Sequence, residues 1–481
     1  MRFVRCGASV AVGVLLTAAP LEAQSSLTRP YSSWVVTPHG ITVPSGNTEQ
    51  FSAVGMGDGA VEWTTTGGTM TATGVFIAGP TPGTYAVTAT TAAGSMSVAV
   101  TVTARTASTP RSPVPVTINP GDNIQAAVQA NPLGTTFLIR RGIHRRQSIV
   151  RPKDGMSFVG EAGAILDGEH AAGQAFDLYQ TRNVVVRGLR ITRYAPPNLN
   201  SALEGAGSDG ALIEGNEIDH NANGESRAYG LSIGSASIIR RNIIHHNGWL
   251  GINGYRAVDT LIEGNDVYAN PPAYFNDTVG EAANVKLFDC GRITIRGNHV
   301  HDGIFRGIWV DTMRPDVTIE HNRVVNHGRA GIWYEVSYRG VIRNNYVENA
   351  GYHQTRLPDW LRGGGIEVSN SPDVSVLNNT VVNSLNGIIG LQAQSYRDGP
   401  YGKSQLRNLL VQGNTILMPS GQTGITENVG SAEVFTSWNN RFVGNRFELL
   451  NNPNPFAWMG QQLDERQWQA YGQGTNDLFA R

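Results

Sequence analysis

Eight segments of the chain repeat one short pattern, alternating apolar residues followed by a tight turn that ends in Asn. They are Ile213-Glu214-Gly215-Asn216, Ile239-Arg240-Arg241-Asn242, Ile262-Glu263-Gly264-Asn265, Ile295-Arg296-Gly297-Asn298, Ile319-Glu320-His321-Asn322, Ile342-Arg343-Asn344-Asn345, Val376-Leu377-Asn378-Asn379 and Val411-Gln412-Gly413-Asn414. The Asn-to-Asn steps are 26, 23, 33, 24, 23, 34 and 35 residues. The basic unit is therefore about 23 residues, and three units carry insertions of roughly ten. A period in the low twenties with about three short strands fits one coil of a parallel β-solenoid, each coil stacking on the next at about 4.8 Å. Leucine-rich repeats share the period but require leucine positions that are absent here. The recurrent Asn belongs at a turn, in left-handed or bridging geometry, where its amide bonds the same amide one coil on. Its role is structural.

Composition agrees with many short strands and turns. The chain has 481 residues and 57 glycines with no three-residue period, which excludes collagen, and 40% hydrophobic with 16% charged content, which excludes disorder. Lys+Arg and Asp+Glu nearly cancel at 37 against 38, so there is no global basic field to hold nucleic acid. Arg2 and Arg5, the apolar run from Val10 to Ala19 and the Leu21-Glu22-Ala23 site predict a signal peptide over residues 1–23 and a secreted or periplasmic product. That run is too short to span a bilayer and no later one is longer, so no membrane insertion is expected. With Cys6 in the signal, Cys290 stands alone and reads as a buried small hydrophobe. A monomer is expected.

Residues 33–105 read as alternating strands, among them Tyr85-Ala86-Val87-Thr88-Ala89-Thr90 and Val98-Ala99-Val100-Thr101-Val102, separated by Gly, Pro and Thr. The Thr37-Pro38, Thr48-Glu49-Gln50-Phe51, Val61-Glu62-Trp63-Thr64, Thr66-Gly67-Gly68-Thr69 and Gly79-Pro80-Thr81-Pro82-Gly83-Thr84-Tyr85 segments resemble the bacterial Ig-like group 2 family. That resemblance implies a small β-sandwich acting as a spacer or adhesion module, with Trp63 as a core aromatic. Residues 106–115 have linker composition. From 116 to 481 a solenoid is expected, its open end capped by an amphipathic helix over Asp122–Ala130 and its far end covered by the segment that holds Trp458 and Trp468. The cap, Phe137-Leu138-Ile139, Gly155-Met156-Ser157-Phe158-Val159-Gly160 and Ala164-Ile165-Leu166-Asp167-Gly168, together with the Asn repeats, resemble the pectin-lyase-like superfamily of right-handed parallel β-helix proteins. The resemblance implies action on, or binding of, extracellular polysaccharide; a fold alone names no reaction.

Two coils share an opening, Gly307-Ile308-Trp309-Val310-Asp311 and Gly331-Ile332-Trp333-Tyr334-Glu335. Strand alternation turns Ile308, Val310, Ile332 and Tyr334 inward and Trp309, Asp311, Trp333 and Glu335 outward. In the same register Glu367 falls beside Trp333, Lys286 and Phe288 lie one coil earlier, and Asn253 and Tyr255 one coil before those. Exposed tryptophans with interleaved carboxylates suit a sugar groove, since rings stack on pyranose C–H faces and acids bond hydroxyls or move protons. The competing reading is that the tryptophans pack beneath inserted loops over 271–283, 352–364 and 391–408, which contain Tyr274, Phe275, Arg356, Trp360, Arg362, Tyr396, Tyr401 and Lys403. A hydrolase would use Asp311 and Glu335 with carboxyl groups about 5 Å apart, a retaining pair, or Asp311 with Glu367 at inverting separation. A lyase would neutralise a uronate and abstract its α-proton with Lys286, Tyr338 or Arg314. The signature motifs of polygalacturonases, alginate epimerases and calcium pectate lyases are absent. His301 and His327 fall one coil apart near the groove, but no His pair has metal-ligand spacing, and neither a metal nor a cofactor is predicted, calcium included. The expected function is cleavage of glycosidic bonds in a polysaccharide, hydrolysis ahead of elimination, with glycan binding without catalysis as the remaining alternative.

Overall fold

The computed structural model describes residues 35–38, 41–54, 61–91, 94–103, 114–222, 227–271, 280–312, 314–353, 362–393, 398–399 and 401–480. The predicted signal peptide, most of the linker, and Tyr274, Phe275, Arg356, Trp360 and Tyr396 lie outside the described residues. Internal contacts divide the chain into one unit ending at Arg105 and a second running from Thr106 to Arg481. Among the described residues no helix is long and apolar enough to cross a membrane.

The first unit has a four-stranded sheet in the order Ile41–Pro44, Gly94–Thr103, Gly83–Thr91, Glu62–Thr65, a three-stranded sheet and a two-stranded pair. Inward residues of its strands bury Val43, Phe76, Val87, Ala89, Val100 and Val102 together with Phe51. Trp63 packs on Phe51 at 6.4 Å.

The second unit is a right-handed parallel β-helix. Its chain visits three sheets in turn, each of thirteen strands, so that every strand pairs with the one a coil earlier. Within these three sheets, among the described residues, only the last pair, Phe456–Trp458 with Gln461–Leu463 in the third sheet, is antiparallel. Apolar residues at alternate positions point inward and stack: Ile191, Ile218, Ile244, Val267, Val300 and Val324 follow one another up the second sheet, all at 0% exposure. At one end the helix Ile124–Ala130, capped by the Asn123 side chain, buries Ile124 and Val128 over the core. At the other, Trp458 and Trp468 are buried and the helix Glu465–Ala470 is closed by a capping box from Asp464 and Gln467.

The Asn column forms as the repeat requires. Each Nδ2 donates to the next Oδ1 from Asn216 through Asn242, Asn265, Asn298, Asn322, Asn345, Asn379 and Asn414 to Asn445, at 2.9 to 3.0 Å. Each Nδ2 also donates to a strand carbonyl, such as Ile295 O for Asn322. The left-handed residue is not the Asn, as expected from the sequence, but the one before it: Gly215, Arg241, Gly264, Gly297, His321, Asn344, Asn378, Gly413 and Gly444 have φ between 53° and 68°. The turn puts its strain on a residue whose side chain faces solvent and leaves the Asn in ordinary backbone geometry with its amide buried.

A second, shorter ladder was not legible in the repeats. Asn221, Asn247, Asn270 and Asn284 bond in series at the turn after the second sheet, and Asn284 ends the run 3.1 Å from His327 Nε2. His327 is fully buried there, and burial holds its imidazole down at about 3, so it is a neutral ladder terminus and not a groove residue. Cys290 is buried and its thiol is pushed up to about 12 by burial, which fits the packing role read from the sequence.

Replacing Asn322 by Ala removes two buried donor contacts and leaves the Nδ2 and backbone N–H of Asn298 without their acceptor. Chemical denaturation of the variant should show a loss on the order of 2–3 kcal/mol, and an unchanged midpoint would exclude the ladder as a source of stability.

Candidate functional site

Outward residues of the third sheet fall into columns that run along the solenoid axis. One column reads Asp177, Glu204, Ser232, Asn253, Lys286, Trp309, Trp333, Glu367, each paired in register with the next. The neighbouring column reads Tyr255, Phe288, Asp311, Glu335, Ser369. Every register placed by the sequence pattern is observed, while Ile308, Val310, Ile332 and Tyr334 face the core at 0% exposure.

The tryptophans are not exposed platforms. Trp309 and Trp333 are 3% and 5% exposed. They stack on each other at 4.8 Å and belong to an apolar cluster with Tyr229, Trp249, Leu250, Ala282, Ala283 and Ala330, outside the solenoid core. Arg306 lies over both rings at 4.2 and 4.5 Å and donates to Gly280 O at 2.6 Å. Burial lowers its guanidinium to about 10. The expected glycan stacking on these rings is therefore replaced by packing beneath residues 280–283 and Arg306, and their ring faces are already occupied.

The two carboxylates are only partly buried. Asp311 and Glu335 are directly opposed on adjacent coils. Coil spacing puts their Cα atoms about 4.8 Å apart. Glu335 Oε2 accepts from the Trp309 indole N–H at 2.9 Å. Burial, then the neighbouring Asp311 charge, pushes Glu335 up to about 7. Asp311 accepts from the Thr312 hydroxyl at 2.8 Å and has Lys286 Nζ at 3.5 Å. Lys286 is paired also with Glu281 and lies 3.4 Å over the Trp309 ring. Two carboxyl groups of unlike environment thus sit side by side, one in a position to carry a proton and the other beside an ammonium.

Glu367 is 2% exposed and accepts from Gly364 N at 2.9 Å, with burial raising its carboxyl. It stands in the tryptophan column, while Ser369 takes the place beside Glu335 in the neighbouring one, so it does not form the expected second pair with Asp311. Tyr338 is also displaced from the site. It is 6% exposed, donates to Gly402 O at 2.8 Å and accepts from Gly399 N at 3.2 Å, which fastens a surface hairpin. Arg314 lies beyond the end of its strand and is held by Asp289 through two contacts at 3.1 and 3.4 Å.

Upstream of the acid pair the third sheet opens into a cleft of about 560 Å³, lined among others by Tyr179, Glu204, Tyr229, Ser232, Trp249, Asn253, Tyr255, Glu281, Lys286 and Phe288. Tyr255 is 48% exposed and stacks on Phe288 at 5.9 Å and 22°, which makes these rings the open aromatic surface leading to Asp311 and Glu335. On the cleft floor Asn253 donates to Ser232 Oγ at 3.2 Å, and Ser232 shares a hydrogen bond with Ser201. Burial raises the Glu204 carboxyl, against N–H groups of Ala206 and Ser201 that hold it down. It also pushes the Tyr229 hydroxyl up to about 12, with Glu204 and Glu281 adding to the shift. Sequence reasoning placed Asn253, Tyr255 and Lys286 here but missed Glu204, Tyr229, Trp249 and Glu281. The one available signal was that Ser201–Glu204 and Tyr229–Ile233 continue the strand column that later carries the two tryptophans.

A model of the right handed beta helix region matches residues 174–339 and 281–416, together just over half of the chain. The chain belongs to this family of right-handed β-helix proteins. Among solved structures it is similar to the A-module of the mannuronan C-5 epimerase AlgE6 of Azotobacter vinelandii, with 16% identity, a TM-score of 0.51, and 74% of this chain and 94% of that one covered. It is also similar to a PL6 family polysaccharide lyase of Pseudopedobacter saltans, with 13% identity, a TM-score of 0.46 and coverage of 76% and 92%. A third similarity is to the catalytic unit of a GH87 alpha-1,3-glucanase of Streptomyces thermodiastaticus, with 10% identity, a TM-score of 0.42 and coverage of 82% and 77%. No curated protein matches the chain in sequence.

Because Trp309 and Trp333 are packed, Trp333→Ala should lower stability by about 3–5 kcal/mol. Tyr255→Ala, at an open position, should stay within about 0.5 kcal/mol of the parent. Thermal unfolding of the two variants side by side checks the contrast, and equal stabilities would restore the tryptophans as surface residues.

Proposed function

We propose that the protein cleaves glycosidic bonds of a polysaccharide by hydrolysis on the outer face of the third sheet, with Glu335 as acid and base and Asp311 as nucleophile. The observation that carries this reading is the Asp311/Glu335 pair, in register on adjacent coils, differing in environment, and standing at the end of the Tyr255 and Phe288 rings. A sugar chain laid along the column would stack on the two rings and bring a glycosidic oxygen to Glu335. Glu335 then gives its proton to that oxygen as the bond breaks, and the Asp311 carboxylate attacks the anomeric carbon from the adjoining coil. Glu335, now charged, takes a proton from the water that releases the sugar from Asp311.

Lys286 supports this assignment over elimination. Its ammonium is engaged by Glu281 and Asp311 and rests on the Trp309 face, so it steadies charge at the pair instead of offering a free amine as base. A polysaccharide substrate agrees with the fold shared with a mannuronan epimerase. The accompanying proposals are that residues 1–23 direct export, that the first unit is a bacterial Ig-like spacer, and that the chain acts as a monomer.

Incubation of the purified protein with neutral and uronate-containing polysaccharides should release reducing ends with no absorbance at about 235 nm, the wavelength of an unsaturated uronate. Glu335→Gln and Asp311→Asn should each lower kcat by at least about a hundredfold. Absorbance rising with the reducing ends would replace hydrolysis by elimination. A general acid must be protonated to act, so the rate should fall as pH rises through about 7, where Glu335 loses its proton. A rate still climbing above that pH would remove Glu335 from the role.

A further inference from the structure

The outer face of the second sheet carries a separate group of side chains. His299 and His301 are two positions apart on the strand His299–Gly303, so both imidazoles leave the same face. One coil earlier, Asp266 is paired in register with His299. Asp266 Oδ1 lies 3.2 Å from His299 Nδ1 and 3.1 Å from His301 Nε2, and ligand atoms of the three residues lie within 4.8 Å of one another. The side chains of Asp266, His299 and His301 are 42%, 45% and 19% exposed, which leaves the group open to solvent.

The protons around His301 do not balance for a neutral ring. Its Nδ1 is 2.8 Å from Asp302 Oδ2 while its Nε2 faces Asp266 Oδ1. A neutral imidazole has a single N–H, so one of the two carboxylates would meet a bare lone pair. Asp302 is fixed from outside, since its other oxygen accepts from Asn326 Nδ2 at 2.9 Å and Asn326 accepts in turn from Asn349 at 2.8 Å. An N–H on Nδ1 directed at Asp302 would leave Nε2 as an acceptor facing Asp266, and the His299 ring stacks on this imidazole with centroids 4.1 Å apart. That carboxylate, imidazole and vacant-nitrogen arrangement is how proteins orient a metal-ligating histidine.

We propose that Asp266, His299 and His301 form a binding site for a divalent transition metal of the zinc class, with Asp302 as the positioning residue and water completing the coordination. Two imidazoles and a carboxylate suit zinc, and donors about 2.0–2.2 Å from a tetrahedral ion stand a little over 3 Å from each other, close to the two separations between Asp266 and the imidazoles. Arg323 faces His299 one coil on, but it is paired with Glu348. The nearby Glu217, Asp219 and His245 do not make a second site, because Asp219 already accepts from Arg190, Thr192 and His220. The site lies on the second sheet, on the strand just before the one that carries Asp311, and adds a metal to a chain whose sequence predicted none.

Zinc chloride titrated calorimetrically into the untagged, chelator-stripped full chain should give one ion per chain, and cobalt(II) should give visible absorption of a four- or five-coordinate ion. His301→Ala and the more exposed His299→Ala should each weaken zinc at least tenfold with unchanged far-ultraviolet dichroism, Asp302→Asn should weaken it about tenfold, and His245→Ala should leave it unchanged. Absence of binding, or affinities of the His299 and His301 variants within twofold of the parent, would overturn the site, as would loss of binding in the His245 variant alone.

Discussion

Every feature of the second unit depends on one interaction, the amide of an Asn bonding the amide of the Asn a coil above it. A strand of three or four residues is too short to hold register by its own hydrogen bonds, and most strands here are that short. The buried amide ladder supplies what they lack. Each Asn satisfies a strand carbonyl and the next amide together, so a coil that slipped by one residue would leave several buried polar groups unpaired at once. Slippage would also turn the inward Ile and Val set to the outside. The ladder and the apolar stack therefore enforce the same register, and columns on the outer face are aligned because the columns inside are.

That alignment explains what could be read in advance. The Asn spacing, the Gly-Ile-Trp opening and the alternation of inward and outward positions carry the register of Asp311 with Glu335 and of Lys286 with Trp309. Burial of the two tryptophans was legible only as the competing reading, packing beneath the 271–283 insertion, and the part that Arg306 takes in the cover has no pattern that announces it. Alternation says which side of a sheet a residue leaves from, and it is silent on whether that side is wet. Tyr338 and Arg314 illustrate the same limit, since both lie past strand ends, where periodicity no longer constrains direction.

The histidines show a different kind of blindness. His299 and His301 are adjacent in the chain to no acid that completes a familiar ligand motif, and Asp266 comes from 33 residues earlier by way of coil stacking. In a solenoid the neighbours that matter chemically are one period away, and inserted loops make that period irregular. The upstream cleft was missed for a related reason: Glu204, Tyr229 and Glu281 belong to coils of unequal length and share no local sequence signature.

The left-handed residue that precedes each ladder Asn has a wider meaning. Because strain is confined to a solvent-facing position and the Asn itself is relaxed, the turn accepts Gly, Arg, His or Asn with the interior untouched. The inside of each coil is thus standardised while its outside is open to change, and a coil becomes an interchangeable unit. A chain of this kind can gain or lose one whole period, lengthening or shortening its working face by about 4.8 Å, without redesigning the core. Reach along a substrate and stability of the scaffold are, in such a molecule, separately heritable properties.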